Sequence, residues 1–475
     1  MAPTPNIART ILAETAGLAA KTALADGSRT LSYGGLADAV SRAARALADC
    51  GVRPLDRVAL QCPDSADHIV LSLAILSIEA VVVPVAPELM SDERATLPAQ
   101  MDVRFVLTDA AHAPDGEGEP FDAPDVLDRP FRLTRRTPSD TPREGYDAIH
   151  PAFIRFSSGT TGTSKGVVLS HQTILDRTDA ANAGLGVTSS DVVAWVLSMS
   201  FHFVVTILLF LRKGATIVLC GAPLPDALVD ALRRYPVTLL YASPIHYRLL
   251  TLAETLTREN FAAVRLAVST AVHLPAQVAG DVRERFGLRI SEAYGIIEVG
   301  LPFVRLTQAG DPPGLLGRPL PGYEARLAED GEILLRGQGL YDAYFAPWQP
   351  RAACQPDGWF RTGDLGEWTA NGELRLIGHR KTVINFSGMK VFPQEVEDAL
   401  NRHPAVAESL VYGEPHPEYG QLPCARLVLK DPSSPLDEAD LRAFCRARLA
   451  LYKIPKTFTC VPALPKTASG KLRRT

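Results

Sequence analysis

The sequence predicts an α/β protein: a large N-terminal domain of parallel-rich sheets with packed helices and a β-rich subdomain, then a small α+β C-terminal domain. Three observations lead there. Short β-branched runs alternate with amphipathic stretches over most of the chain. After Gly314 the texture changes to short strands and turns, as in GEILLRG (331–337) and GELRLIG (372–378). From about Lys381 a strand–helix–strand–helix pattern takes over, and 475 residues are too many for one compact core.

Taken in order, the most apolar window, 69–85, is broken by Glu79 and Pro84 and reads as a buried helix over 66–77 followed by a strand over 80–85. Further strands are expected at 104–108, 152–157, 192–197, 215–219, 237–241, 265–268 and 289–290, with helices at 225–234 and 274–286 between them. The stretch 111–149 is rich in Pro, Gly, Asp and Arg without sustained periodicity, so it reads as an irregular surface connection between two lobes.

Composition narrows the function classes. Hydrophobic residues make up 46% and charged residues 21% of the chain, the balance of a soluble globular protein. A formal net charge of −4 argues against nucleic-acid binding as the main activity. The seven cysteines (50, 62, 220, 354, 424, 445, 460) form no C-x-x-C pair and read as reduced packing residues, neither a disulfide framework nor a zinc site. Glu14 interrupts the N-terminal segment, which lacks a signal-peptide core; a cytoplasmic protein with no membrane span is expected.

The first chemical feature is FSSGTTGTSKG (156–166), following a strand-like run. Its glycines let backbone N–H groups approach an anion, its hydroxyls add donors, and Lys165 supplies a point charge, so the loop suits a polyphosphate. It lacks the GKS or GKT of a P-loop, which removes support for a kinase or Walker-type ATPase.

This loop resembles the signature of the superfamily of acyl-CoA synthetases, peptide-synthetase adenylation domains and beetle luciferases. Further stretches resemble that family's motifs in the same order: AYGIIE (293–298) its Y-G-x-T-E element, GWFRTGDLG (358–366) its T-G-D element, GHRKTVINFSGMKVFPQEVE (378–397) its interdomain hinge, and PKTASGKLRR (465–474) its catalytic-lysine motif. The resemblance spans nearly the whole chain and implies a large adenylation domain over 1–380 and a small, mobile domain over 381–475, with Lys381 at the hinge. It implies an acid–thiol ligase that forms an acyl-AMP from a carboxylic acid, ATP and Mg2+. The acceptor would be the thiol of CoA or of the phosphopantetheine arm on a separate carrier protein.

Roles follow by resemblance, residue by residue. Ser157, Ser158, Gly159, Thr160, Thr161, Gly162, Thr163 and Lys165 would cradle the phosphates, with Glu298 and Thr161 at the metal, since a hard cation prefers oxygen ligands. Glu292, Ala293, Tyr294 and Gly295 would flank the adenine, and Asp364 would accept hydrogen bonds from the ribose hydroxyls, with His379 beside the nucleotide. Lys471 would bring its ammonium to the carboxylate and α-phosphate oxygens; read alone, KLRRT is a solvated basic tail.

The stretch 199–211, MSFHFVVTILLFL, corresponds to the acid pocket. His202, Phe203 and Val204 would line it, with Ser243 and Thr270 as further lining residues and His202 flanking the carboxylate path. A lone histidine in an apolar run is equally a hydrogen-bonded core residue. No acidic residue stands there to pair an ammonium, which argues against an α-amino acid and for an aromatic or medium-chain aliphatic acid. Three departures mark this chain: Ile297 replaces the threonine of Y-G-x-T-E, His379 replaces the arginine opening the hinge motif, and 269–275 is bulkier than the usual turn beside the adenine. A catalytically degenerate nucleotide- or acyl-adenylate-binding relative is the alternative these departures leave open.

Overall fold

The computed structural model describes residues 5–473 apart from 88, 90, 114–117, 124–125, 140–142, 157–164, 222–223, 271–273, 309, 312–313, 387–388, 434–435, 467–471 and the side chains of 91–93. The expected helix and strand of the apolar window are Ala66–Ser77 and Val81–Pro84. Ser65 opens that helix by accepting the amide of His68, and the helix is buried on almost every face because it lies beneath two sheets.

The first of these sheets has nine strands, in the order Gln349–Pro350, Ala343–Tyr344, Gly166–Ser170, Pro151–Phe156, Val81–Pro84, Arg57–Gln61, Phe105–Asp109, Phe131–Arg135, Glu119–Phe121. The second has eight, with a parallel centre formed by Thr22–Asp26, Thr216–Leu219, Val192–Trp195, Leu239–Ala242, Leu266–Ser269 and Ile290–Ile296. Its inner strands Thr216–Leu219, Val192–Trp195 and Leu239–Ala242 are nearly continuous apolar runs, as strands covered on both faces must be. Their parallel crossovers are made by helices such as Asp226–Arg234 and Ala276–Phe286.

The stretch expected to be irregular contains two strands that extend the nine-stranded sheet: Phe131–Arg135 pairs antiparallel with Phe105–Asp109, and Glu119–Phe121 pairs antiparallel with Phe131–Arg135 at the edge. Local composition hides them because they are short and Glu119–Phe121 is an edge strand. Pro120 is tolerated where one side of the ladder is open, and the pairing energy comes from a strand distant in sequence.

A five-stranded antiparallel sheet (Leu315–Gly317, Tyr323–Leu327, Glu332–Gly337, Phe360–Trp368, Leu374–His379) forms the β-rich subdomain. The C-terminal sheet joins Ile384–Phe386, Met389–Val391, Val406–His416, Gly420–Leu429 and Thr457–Cys460, with helices Pro393–Leu400 and Glu438–Arg446 packed on a core of its own around Val396, Leu400, Leu427 and Leu441. All seven cysteines are free. Among the described residues no helix is long and apolar enough to cross a membrane.

Candidate active site

In an open parallel sheet, ligands sit outside the carboxyl ends of the strands. At those ends of the eight-stranded sheet lie Trp195, Ser243, Ser269, Thr270 and the segment from Glu292 to Glu298. Strand Ile290–Ile296 turns back through 297–299 into Gly300–Leu306. A Cβ on Gly295 would come within 2.7 Å of the Gly300 carbonyl oxygen, so the hairpin closes this tightly only with glycine.

Glu298 sits on that turn. The Tyr344 hydroxyl donates to its Oε1 at 3.3 Å, and burial pushes its carboxyl above the ordinary glutamate range. The Lys165 ammonium lies 4.9 Å over the Tyr344 ring, so this tyrosine brings Lys165 and Glu298 together. Tyr344 belongs to a strand paired with Gly166–Ser170, which explains the proximity of residues so far apart in sequence.

Arg177, on helix His171–Leu185, is buried and braces the same turn. Its guanidinium donates to the carbonyls of Gly339, Ile297 (3.0 Å) and Glu298 (2.8 Å). Thus Ile297, which lacks the family's hydroxyl, still contributes through its backbone.

Tyr294 donates its hydroxyl to Asp364 Oδ2 at 2.6 Å, joining the Y-G-x-x-E and T-G-D segments. Asp364 follows Gly363, whose φ of +75° favours glycine, and its amide donates to Thr362 Oγ1 at 3.0 Å. Glu332 fixes this turn from beneath: Oε1 accepts the Gly363 amide at 2.9 Å, and Oε2 accepts Arg361 and, at 3.1 Å, Arg380. His379 pairs in register with Asp364 and lies against Gly363; its Nδ1 accepts the Lys381 amide at 3.2 Å.

On strand Ile290–Ile296, the Ala293 carbonyl accepts Thr270 Oγ1 at 3.2 Å and Glu292 Oε2 accepts the Leu274 amide. A cleft there is lined by Leu274, Glu292 and Arg305 on one side and Asp398, Asn401 and Arg402 of the C-terminal domain on the other.

The acid-pocket segment starts as the short helix Met199–His202 and continues as a π turn over Phe203–Ile207, an irregularity that reorients side chains and is frequent at functional sites. His202 stands half-buried at the junction, whereas Phe203 and Val204 are buried in the core, where Phe203 packs on Phe153 and His68. Ser243 and His246 are joined at 2.8 Å within a capping box, and burial pushes the His246 imidazole down.

Ser157, Ser158, Gly159, Thr160, Thr161, Gly162, Thr163 and Lys471 lie outside the described residues. The motifs gave no sign of Tyr344, Arg177 or Glu332. Each acts through partners distant in sequence, so no local pattern signals it.

The chain matches the AMP-binding enzyme family over residues 13–345 and the AMP-binding enzyme C-terminal domain over 395–471. It is 31% identical to a methyl-dioxo-octahydroindenyl-propanoyl:CoA ligase of Mycobacterium tuberculosis, covering 95% of this chain and 94% of the relative. A sulfoacetate–CoA ligase of Cupriavidus necator is 30% identical over 94% of this chain and 92% of its own. The crystal structure of ATP-bound MatB from Rhodopseudomonas palustris gives a TM-score of 0.85 at 26% identity, over 98% of this chain and 97% of that one. The apo form of the same protein gives 0.74 at 25% identity and the same coverage. The chain therefore belongs to the AMP-binding, adenylate-forming enzymes, in the acid–CoA ligase branch.

Proposed function

We propose that this protein joins a carboxylic acid to coenzyme A in two steps at one site, with Mg2+ present. A carboxylate oxygen attacks the α-phosphorus of ATP and pyrophosphate leaves; the thiolate sulfur of CoA then attacks the acyl carbon and AMP leaves. The observation that carries this reading is the meeting of Lys165, Tyr344 and Glu298 at the strand ends, with the Tyr294–Asp364 pair beside them. Relatives named as acid–CoA ligases support CoA over a carrier-protein arm as acceptor. A cytoplasmic location suits the free cysteines.

The first step brings two anions together, so the site must neutralise charge and hold the reactants in line. In this reading Lys165 and the 157–164 loop take the leaving phosphates, and Asp364 exchanges the Tyr294 hydroxyl for the ribose. Lys471 neutralises charge between carboxylate and α-phosphate. Glu298, a carboxylate near Lys165, would hold Mg2+ together with Thr161, since a hard cation takes oxygen ligands, and the ion would offset the charge of the leaving group.

The test is acid-dependent release of AMP and pyrophosphate across aryl, fatty, dicarboxylic and amino acids, with hydroxylamine trapping the adenylate. Turnover of an aryl or acyl acid is expected, with a loss on the order of a hundredfold or more in Lys471→Ala. ATP binding without turnover of any acid would instead favour the degenerate reading raised by Ile297 and His379.

A further inference from the structure

Strand Pro151–Phe156 leads into the phosphate loop, and its side chains alternate between two faces. Ile154 and Phe156 pack with Val168 and Phe345. Phe153 and Arg155 turn the other way. There Phe153 stacks on Phe203 with ring centroids 5.7 Å apart, and Arg155 Nη2 donates to the carbonyl oxygen of Phe201. Phe201 and Phe203 flank His202, so Arg155 is planted against the acid-pocket segment.

Arg155 is 8% exposed. A guanidinium carries five N–H donors, yet the carbonyl of Phe201 is its one hydrogen-bond partner among the described residues, none of which puts a carboxylate within salt-bridge distance. The contrast with Arg177 is instructive: that arginine spends its donors on three backbone carbonyls. Burial, reinforced by the charge of Arg177 and opposed by that of Glu298, brings Arg155 down to about 9. A buried cation this poorly matched is costly unless an anion meets it.

The surroundings offer further groups in the same condition. Ser198 Oγ and Ser200 Oγ, on the segment Arg155 touches, are buried and have no hydrogen-bond partner among the described residues. Both can donate. The guanidinium and the hydroxyls of the segment it touches are thus donors short of acceptors, the complement of an anion rather than of an alkyl chain or an ammonium. That anion is not the reacting carboxylate, whose charge Lys471 meets in the ligase reading above.

Resting on the ligase reading above, we infer that Arg155 binds a second, non-reacting anionic group on the acid, so that the substrate is a dianionic acid bearing a carboxylate or sulfonate away from the reacting end. The experiment pairs short α,ω-dicarboxylates, ω-sulfonates and aryl diacids with analogues in which the far anion is an amide or a methyl group, and follows AMP release with CoA. In the wild type the dianionic member of the best pair is expected to lead by about tenfold or more in kcat/KM, the discrimination of a charge-assisted bond. Arg155→Gln should erase that preference to within about twofold by raising KM for the diacid, with KM for ATP within about twofold, while Arg155→Lys keeps part of it.

Wild-type turnover that is equal or better for the monoanionic members overturns the inference and leaves the ligase standing. A rise in KM for ATP in place of KM for the acid overturns it in favour of a phosphate contact. Turnover of no acid at all removes the ligase reading and this inference together. Should Arg155→Gln not fold, the wild-type pairs and Arg155→Lys decide.

Discussion

Glu298 sits where burial works against its own charge. Its carboxyl is pushed above the ordinary value of 4.5 by desolvation, against partial relief from a backbone hydrogen bond, Tyr344 and the charges of Arg177 and Arg155. A raised carboxyl keeps its proton at mildly acid pH, and only the ionised form is a good oxygen ligand for a cation. Activity should therefore fall as pH drops through a value above 4.5, and added Mg2+ should move that limb to lower pH by competing with the proton. In Glu298→Gln the limb should vanish, together with a loss on the order of a hundredfold in kcat/KM for MgATP. A pH–rate profile that keeps its acid limb in the variant would assign the limb to another group. The same residue-scale view explains what the sequence revealed. Lys165, Glu298, Tyr294 and Asp364 stand in motifs because they share local turns. Tyr344, Arg177 and Arg155 carry no local pattern, since each gains its meaning from a partner more than forty positions away.

At the scale of elements, the hairpin around Glu298 is held by the crossing of helix His171–Leu185 behind it. Gly300 has φ +98°, and a Cβ there would meet Tyr323 Oη at 3.0 Å and Arg177 Cγ and Cδ at 3.1 Å. Gly300→Ala should therefore cost about 1–3 kcal/mol, read as a lower urea midpoint, because it strains the backbone and dislodges the arginine. Arg177→Met should leave three carbonyls without their donor and lower kcat as well as stability, with Arg177→Lys intermediate. A stability loss with unchanged kcat would confine Arg177 to a structural role. Elements were legible where periodicity and burial agree: helix Ala66–Ser77 and the parallel strands follow from apolar runs ended by Pro or charge. The strands Glu119–Phe121 and Phe131–Arg135 and the π turn at Phe203–Ile207 were not, because tertiary pairing decides the first two and a single extra residue in a helical turn decides the third.

At the scale of the whole molecule, the likeness is greater to the ATP-bound form of MatB than to its apo form, with TM-scores of 0.85 and 0.74 over the same share of the chain. The proposed pivot here is Lys381, in the turn Arg380–Thr382 that separates the β-rich subdomain from the C-terminal sheet. Just before it, Arg380 is tied to Glu332, which also holds Gly363 beside Asp364, so the fixed side of the pivot is the turn that carries Asp364. Lys381→Pro would remove the amide that His379 Nδ1 accepts and lock φ at the pivot. If adenylation needs one arrangement and thiol transfer the other, acid-dependent ATP–pyrophosphate exchange should stay within about threefold of wild type while thioester formation falls on the order of a hundredfold. Equal losses in both half-reactions would mean that the pivot lies elsewhere or that one arrangement serves both. Lys471→Ala should show the opposite division, since its role belongs to the first step; the two variants together separate a residue that does chemistry from one that lets the domain move.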